Sequence, residues 1–273
     1  MGTAKEMIPI FHIQIDTLLR AIWRRCPKGW LRLPYFISRT LFFLGGICIA
    51  YILFCKATYR IMSGYAWFRQ VDDIMDGEIA LPEFDIEKYI SEKEKVISGI
   101  SNPHSTEDKL LLAITDRTEI QIIWRLMREE YKRRESKTLL SEKELHAFAY
   151  EQDKAILGFI VKALHGDYDK FLVFINRLNG AMTRTDWLED MRQDMDKGLI
   201  NIPSEFFGTP RFEQWRNDEI QTLQKVWRDP KLQLDMKSIF SSKFTAYFFQ
   251  YMCLHGFSKS IDNIAVKSSL NEK

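Results

Sequence analysis

Apolar residues recur along this chain at three- and four-residue intervals and almost nowhere alternate, so the pattern predicts helix nearly throughout. Ile10, Phe11, Leu18, Leu19 and Ile22 set such a pattern over residues 7–25. Helices are predicted over 36–56 and 58–77, and the segment "GEIALPEFD" interrupts them. Asp85 is placed to start the next helix, through about residue 100. Ser105 with Asp108 resembles a capping box, and Ser141 with Glu144 matches the S-x-x-E form, opening a helix over 142–164 that Gly166 ends. Further helices are predicted over 168–197, 210–228 and 231–256, and the charge run "REEYKRRESK" (128–137) reads as a solvated helix face. The tail after Ser258 is polar, as expected of a frayed terminus. The expectation is an all-α protein with a single helical domain over 36–257, preceded by an amphipathic basic segment over 1–35 and followed by a polar tail over 258–273.

Composition sharpens this picture in a few places. The chain has 273 residues, 46% of them hydrophobic and 13% aromatic, enough for one large core. Its longest apolar run, "LFFLGGICIAYILFC" from Leu41 to Cys55, is shorter than the roughly 20 residues a membrane-crossing helix needs, so a buried helix is expected there. His12, Gln14 and Asp16 interrupt the apolar positions near the N-terminus, unlike a cleavable signal. The basic cluster Arg20, Arg24 and Arg25, continued by Lys28, Arg32 and Arg39, leaves two readings for the first segment. Either it contacts an anionic membrane peripherally or it packs as a helix on the domain. A net charge of +2, with no basic stripe interleaved by aromatics, argues against nucleic acid. Cys26, Cys48, Cys55 and Cys253 lack C-x-x-C spacing, so they read as free thiols in a reducing, cytoplasmic compartment. No G-x-S-x-G, H-E-x-x-H or dinucleotide glycine fingerprint occurs, and the five histidines are scattered.

The candidate chemistry lies in two acidic stretches. "YAWFRQVDDIMDGE" begins at Tyr65. On a helix, Tyr65, Arg69, Asp72 and Asp76 share a narrow stripe and Asp73 sits on its flank. An exposed face more often pairs Glu with Lys one turn apart; here acid stacks on acid, which is unfavourable unless a cation intervenes. The alternatives are an acidic helix end in water and a Mg²⁺ site, because hard oxygen ligands suit that ion. "MTRTDWLEDMRQDMDKGLINIP" repeats the arrangement with Asp186, Asp190 and Asp194 on one face. Two such stripes suggest facing helices holding several Mg²⁺ ions, whose natural ligand is a diphosphate, with Arg69 as a fixed positive partner. Combined with an apolar interior, this suggests ionisation of an allylic prenyl diphosphate to a carbocation, away from water and against aromatic faces.

These residues resemble the squalene/phytoene synthase family of the class I isoprenoid synthase fold. "YAWFRQVDDIMD" is similar to the family's Y-A-x-x-R-x-x-D-D-x-x-D, and "DMRQDMDKGLINIP" to its D-x-x-x-D followed by G-R-x-Y-x-P. Asp190, Asp194, Gly198 and Pro203 hold their places, and Asp186 stands where the family usually has Asn. "ISRTLFF" (37–43) is similar to its S-R-S-F segment. The resemblance implies a helical bundle around a central apolar cavity. It implies Mg²⁺ on Asp72, Asp73, Asp76, Asp186, Asp190 and Asp194, and diphosphate steadied by Arg69, Tyr65, Arg39 and Ser38. Asp72, Asp76, Asp190, Tyr65 and Arg69 would then be catalytic. The chain also departs from the family's pattern. Glu189 replaces a basic residue, Thr183 a glutamine, and the central helix reads "AYEQDKAILG". There the family's first tyrosine falls on Ala149, with Tyr150 one place out of register, and Asp153 and Lys154 replace a small apolar pair. Those two residues either form a local ion pair or point one of their number outward. The ionisation machinery is kept while head-to-head coupling of two substrates is put in question. Three outcomes therefore stand: a single-substrate terpene synthase from farnesyl or geranylgeranyl diphosphate, which the central helix favours slightly; a head-to-head prenyltransferase; and a non-catalytic binding or assembly factor.

Overall fold

The computed structural model describes residues 4–24, 26, 32–79, 85–114, 116–251 and 256–271, and all regular structure among them is helical. In order these are α1 (Ala4–Arg24), α2 (Arg32–Met75), α3 (Ile86–Ile97), the single turn α4 (Thr106–Lys109) with a 3₁₀ turn Leu110–Ala113, and α5 (Thr118–Ser136). Then come α6 (Glu142–Ala163), α7 (Tyr168–Leu178), α8 (Ala181–Asp196), α9 (Phe212–Arg228), α10 (Pro230–Ser238), α11 (Lys243–Gln250) and α12 (Gly256–Asn271). The chain divides into two compact units, Met1–Gln121 and Ile122–Lys273.

In the first unit α2 is two helices joined at an elbow. Phe54 leaves helical geometry (φ −134°, ψ 37°), and the Thr58 hydroxyl donates to the Ala50 carbonyl at 2.8 Å, a contact no straight helix permits across eight residues. The expected break near residue 57 therefore exists, three residues early. α1 packs against both arms. Its Leu18 and Ile22, with Cys26, meet Phe36, Leu44 and Ile47 of the first arm, and Trp23 stands edge-on to Phe36 at 5.1 Å. Gln14 accepts from the Tyr51 hydroxyl on the first arm (2.8 Å) and donates to the Ser63 hydroxyl on the second (2.9 Å). Gln70 on the second arm donates to Thr17 (3.3 Å). Asp85 caps α3 as anticipated, accepting from the Lys88 N–H. Lys93 of α3 is buried and donates to Ser105, Glu107 and Asp108 at 2.7–3.0 Å, tying α3 to the cap of α4.

The apolar run at 41–55 is not the buried helix expected. Leu41 is 67% exposed, Ile52 81%, and Ile49 and Leu53 more than half. α1 is a single helix and covers one side of the first arm, leaving the opposite apolar side open. Among the described residues α2 is long and apolar enough to cross a membrane, and only 6% of its most apolar 18-residue window is buried. Lys28 and Arg25 of the basic cluster lie outside the described residues, as does the central part of "GEIALPEFD".

The second unit has a filled aromatic core. Phe171 and Phe174 of α7 meet Phe249 of α11 and Phe240 near it, with ring centroids 5.2–6.3 Å apart. Ser141 and Glu144 form the expected reciprocal cap of α6. Two predicted helices are each broken in two. The 168–197 stretch turns at Asn179 and Gly180, both left-handed (φ 50° and 73°), and the 231–256 stretch ends at Ser238 and restarts at Ser242, whose hydroxyl accepts from the Thr245 N–H. The run 128–137 is not uniformly solvated: Arg133 is buried and donates to the Ile200 carbonyl (2.9 Å) and the Asn201 side chain (3.0 Å).

Candidate functional site

The two acidic stripes lie in different units, the first in Met1–Gln121 and the second in Ile122–Lys273. The first occupies the second arm of α2. Asp72 and Asp76 lie one turn apart and are half-buried, while Asp73 is only 3% exposed. Arg69 reaches back along the helix and donates to Asp72 (2.9 Å) and Asp73 (3.4 Å). From α1, Arg20 approaches Asp73 at 3.7 Å and Asp16 at 3.0 Å. Asp73 is thus buried between two guanidinium groups that offset its charge. Sequence reasoning placed Arg20 only in a basic cluster; nothing in the spacing shows that it meets an acid 53 positions on. Tyr65 is half-buried on the same arm. Ser38 and Arg39 sit on the first arm, both exposed, and Arg39 donates to the Tyr35 hydroxyl (3.0 Å) with its cation over that ring.

The second stripe lies on α8, which is uninterrupted from Ala181 to Asp196, so Asp186, Asp190 and Asp194 do fall one turn apart. Asp190 is exposed and the other two are half-buried. The helix is fixed by its remaining faces. Asp153 of α6, wholly buried, accepts from the backbone N–H groups of Met182 and Thr183 (both 2.9 Å) and from the Thr183 hydroxyl (2.6 Å). It caps α8 from another helix, at an end where Gly180 offers no side chain. Burial pushes the Asp153 carboxyl up to about 7, against the opposing pull of those donors. Lys154 does not pair with it; its ammonium lies 6.0 Å from the Tyr150 ring centroid. Arg184 forms a buried two-pronged pair with Glu219 of α9 (2.6 and 2.5 Å), and Trp227 donates to Thr185 (3.1 Å). At the far end Asn201 donates to Asp194 (3.3 Å) while accepting from Arg133, so a buried arginine on α5 positions the last acid of the stripe through one amide.

A cleft of about 230 Å³ opens beside the Arg184–Glu219 pair, lined by His146, Phe206, Arg211 and Trp215 among others. Burial, and then the nearby Arg184 charge, lower the His146 imidazole below its ordinary value, so it is neutral near pH 7. Charged and polar side chains line this cleft together with Phe206 and Trp215, and no motif in the sequence marks it.

Among the described residues no three His, Cys, Asp or Glu side chains gather around one point as a protein-only metal cage. Mg²⁺ is ordinarily held by one or two carboxylates with waters and substrate phosphates. Asp72 with Asp76, and Asp190 with Asp194, each offer that number one helical turn apart. Asp73, enclosed by arginines, does not suit the role. No protein-family model, curated protein or solved structure matches this chain.

Proposed function

We propose that this chain is a Mg²⁺-dependent isoprenoid synthase acting on an allylic prenyl diphosphate, with the class I fold and apolar cavity that reading carries. The observation that supports it best is the helical spacing of both acidic stretches, α8 running through all its acids and Asp76, just past the end of α2, bonded back to the Asp72 carbonyl (2.8 Å), which gives each a pair of carboxylates one turn apart on a partly open face. Asp72 with Asp76 in the first unit, and Asp190 with Asp194 in the second, would each hold Mg²⁺, and Asp186 extends the second stripe. When bound, Mg²⁺ neutralises diphosphate charge and so makes it a better leaving group. Arg69 aligns Asp72, and retains donors beyond the two it uses on Asp72 and Asp73. Asp73 serves the fold rather than the ion. Single-substrate cyclisation or elimination is the favoured outcome: Ala149, where the resemblance puts a tyrosine, is wholly buried against Gly180, and the neighbouring Tyr150 donates to Asn176 (2.7 Å).

The test is Mg²⁺-dependent diphosphate release from farnesyl and geranylgeranyl diphosphate, with product analysis. Asp72→Asn combined with Asp190→Asn is expected to lower release by more than about 100-fold. Release that survives both changes defeats the assignment of the site. A C30 or C40 hydrocarbon would move the reading to head-to-head coupling. The enclosure of Asp73 by Arg20 and Arg69, which needs no metal, favours a second reading as a non-catalytic binding or assembly factor. A wild-type chain that releases no diphosphate and binds no diphosphate analogue with Mg²⁺ moves the reading to that one.

A further inference from the structure

The first arm of α2 presents a contradiction that water does not resolve. Its inner positions Phe36, Leu44 and Ile47 pack on α1. Its outer positions Leu41, Ile49, Ile52 and Leu53 are as apolar and are exposed. A helix apolar all round belongs in a core or in lipid, and only the inner side of this one is packed within its unit. No charged residue occurs from Thr40 to Cys55, and both ends of that stretch are cationic: Arg32 and Arg39 before it, Lys56 and Arg60 after it. Amphipathic aromatics stand at the first end. Trp23 and Tyr35 are both partly exposed, Arg32 lies over the Trp23 ring at 4.0 Å, and Arg39 lies over Tyr35 at 5.2 Å. Gly45 and Gly46 have open space around them, so none of the described residues approaches the helix closely there.

We propose that the first arm of α2 beds into the surface of an anionic lipid bilayer, its outer apolar side among the acyl chains and its terminal cations against the headgroups. The charge-free stretch is about 24 Å long at helical rise, short of the roughly 30 Å hydrocarbon core. α1 runs beside this arm and also bonds the second arm, through Gln14, Thr17 and Arg20, so the arm does not cross a membrane by itself. It lies in the plane of the interface, as monotopic helices do, with the apolar side some 5–10 Å deep. His12 and Asp16 of α1, both exposed, would face water. This membrane contact differs from a peripheral basic tail: the apolar side of α2 supplies the insertion and the basic residues supply the choice of lipid. It stands independently of the acidic stripes.

Flotation of the full chain with vesicles of phosphatidylcholine alone, and of equal parts phosphatidylcholine and phosphatidylglycerol, tests this. The expected result is strong flotation with the mixed vesicles. Leu41→Asp/Ile49→Asp/Ile52→Asp is expected to lose at least about 10-fold in partitioning while keeping the wild-type circular dichroism, since those side chains are exposed. Lys56→Gln/Arg60→Gln is expected to weaken flotation with mixed vesicles and leave neutral vesicles unaffected; it keeps the proposal testable should the triple variant misfold. Absent flotation, or flotation unchanged in both variants, overturns the proposal. A lipid-free dimer that the triple variant dissociates also overturns it, assigning the face to a second copy of this chain.

Discussion

The buried carboxylate of Asp153 makes a prediction with a definite sign. In the unfolded chain it titrates near its ordinary value of 3.8, and in the folded protein it is pushed up to about 7 by burial. Between those values the folded state holds a proton that the unfolded state has released, so stability is fully present below the unfolded value and is lost as pH rises through the folded one. The whole shift corresponds to about 4 kcal/mol, and about 3 kcal/mol of it falls between about pH 5 and pH 8, at 1.36 kcal/mol per pH unit. Asp153→Asn keeps an acceptor for the start of α8 but removes the titration. Urea unfolding of both proteins across that range provides the assay, and the difference between the two curves isolates this group from others such as His146. The wild type should lose stability relative to the variant by up to about 3 kcal/mol as pH rises. Parallel curves would refute the reasoning, because the three donors at α8 would then have offset burial and kept Asp153 ionised.

Two further stability predictions follow from the same unit. Arg184→Met leaves Glu219 buried without its guanidinium and should cost about 3–5 kcal/mol, whereas Arg184→Met/Glu219→Leu should recover most of it, both read by chemical denaturation. Gly180→Ala places a methyl 2.8 Å from the Ala149 side chain and the Tyr150 amide at a left-handed position (φ 73°), and should lower stability by about 3 kcal/mol in the same assay.

Local chemistry was the legible part of this sequence. Ser141 with Glu144, Asp85 and Ser105 each cap within three residues, so the spacing alone finds them. The Asn179–Gly180 turn carries an equally local signal, a pair of residues suited to left-handed backbone, which the surrounding apolar period masked. The stripes themselves follow from helical spacing. What lay out of reach depends on tertiary partners: Arg20 beside Asp73, Arg133 behind Asn201, Asp153 across to α8, and Arg184 against Glu219. Those pairs join helices distant in sequence, and a buried charge has the same letter as a solvated one. The run 41–55 failed for a related reason. Hydrophobicity predicts removal from water, and burial by the chain itself is only one way to achieve it.

The elbow at Phe54 has a consequence for how the first unit is held together. Covalent continuity there is redundant, because α1 grips the first arm through Leu18, Ile22 and Tyr51 and the second through Ser63, Gln70 and Asp73. A chain nicked at the elbow should remain one particle in solution, its two fragments travelling together on a sizing column until denaturant separates them.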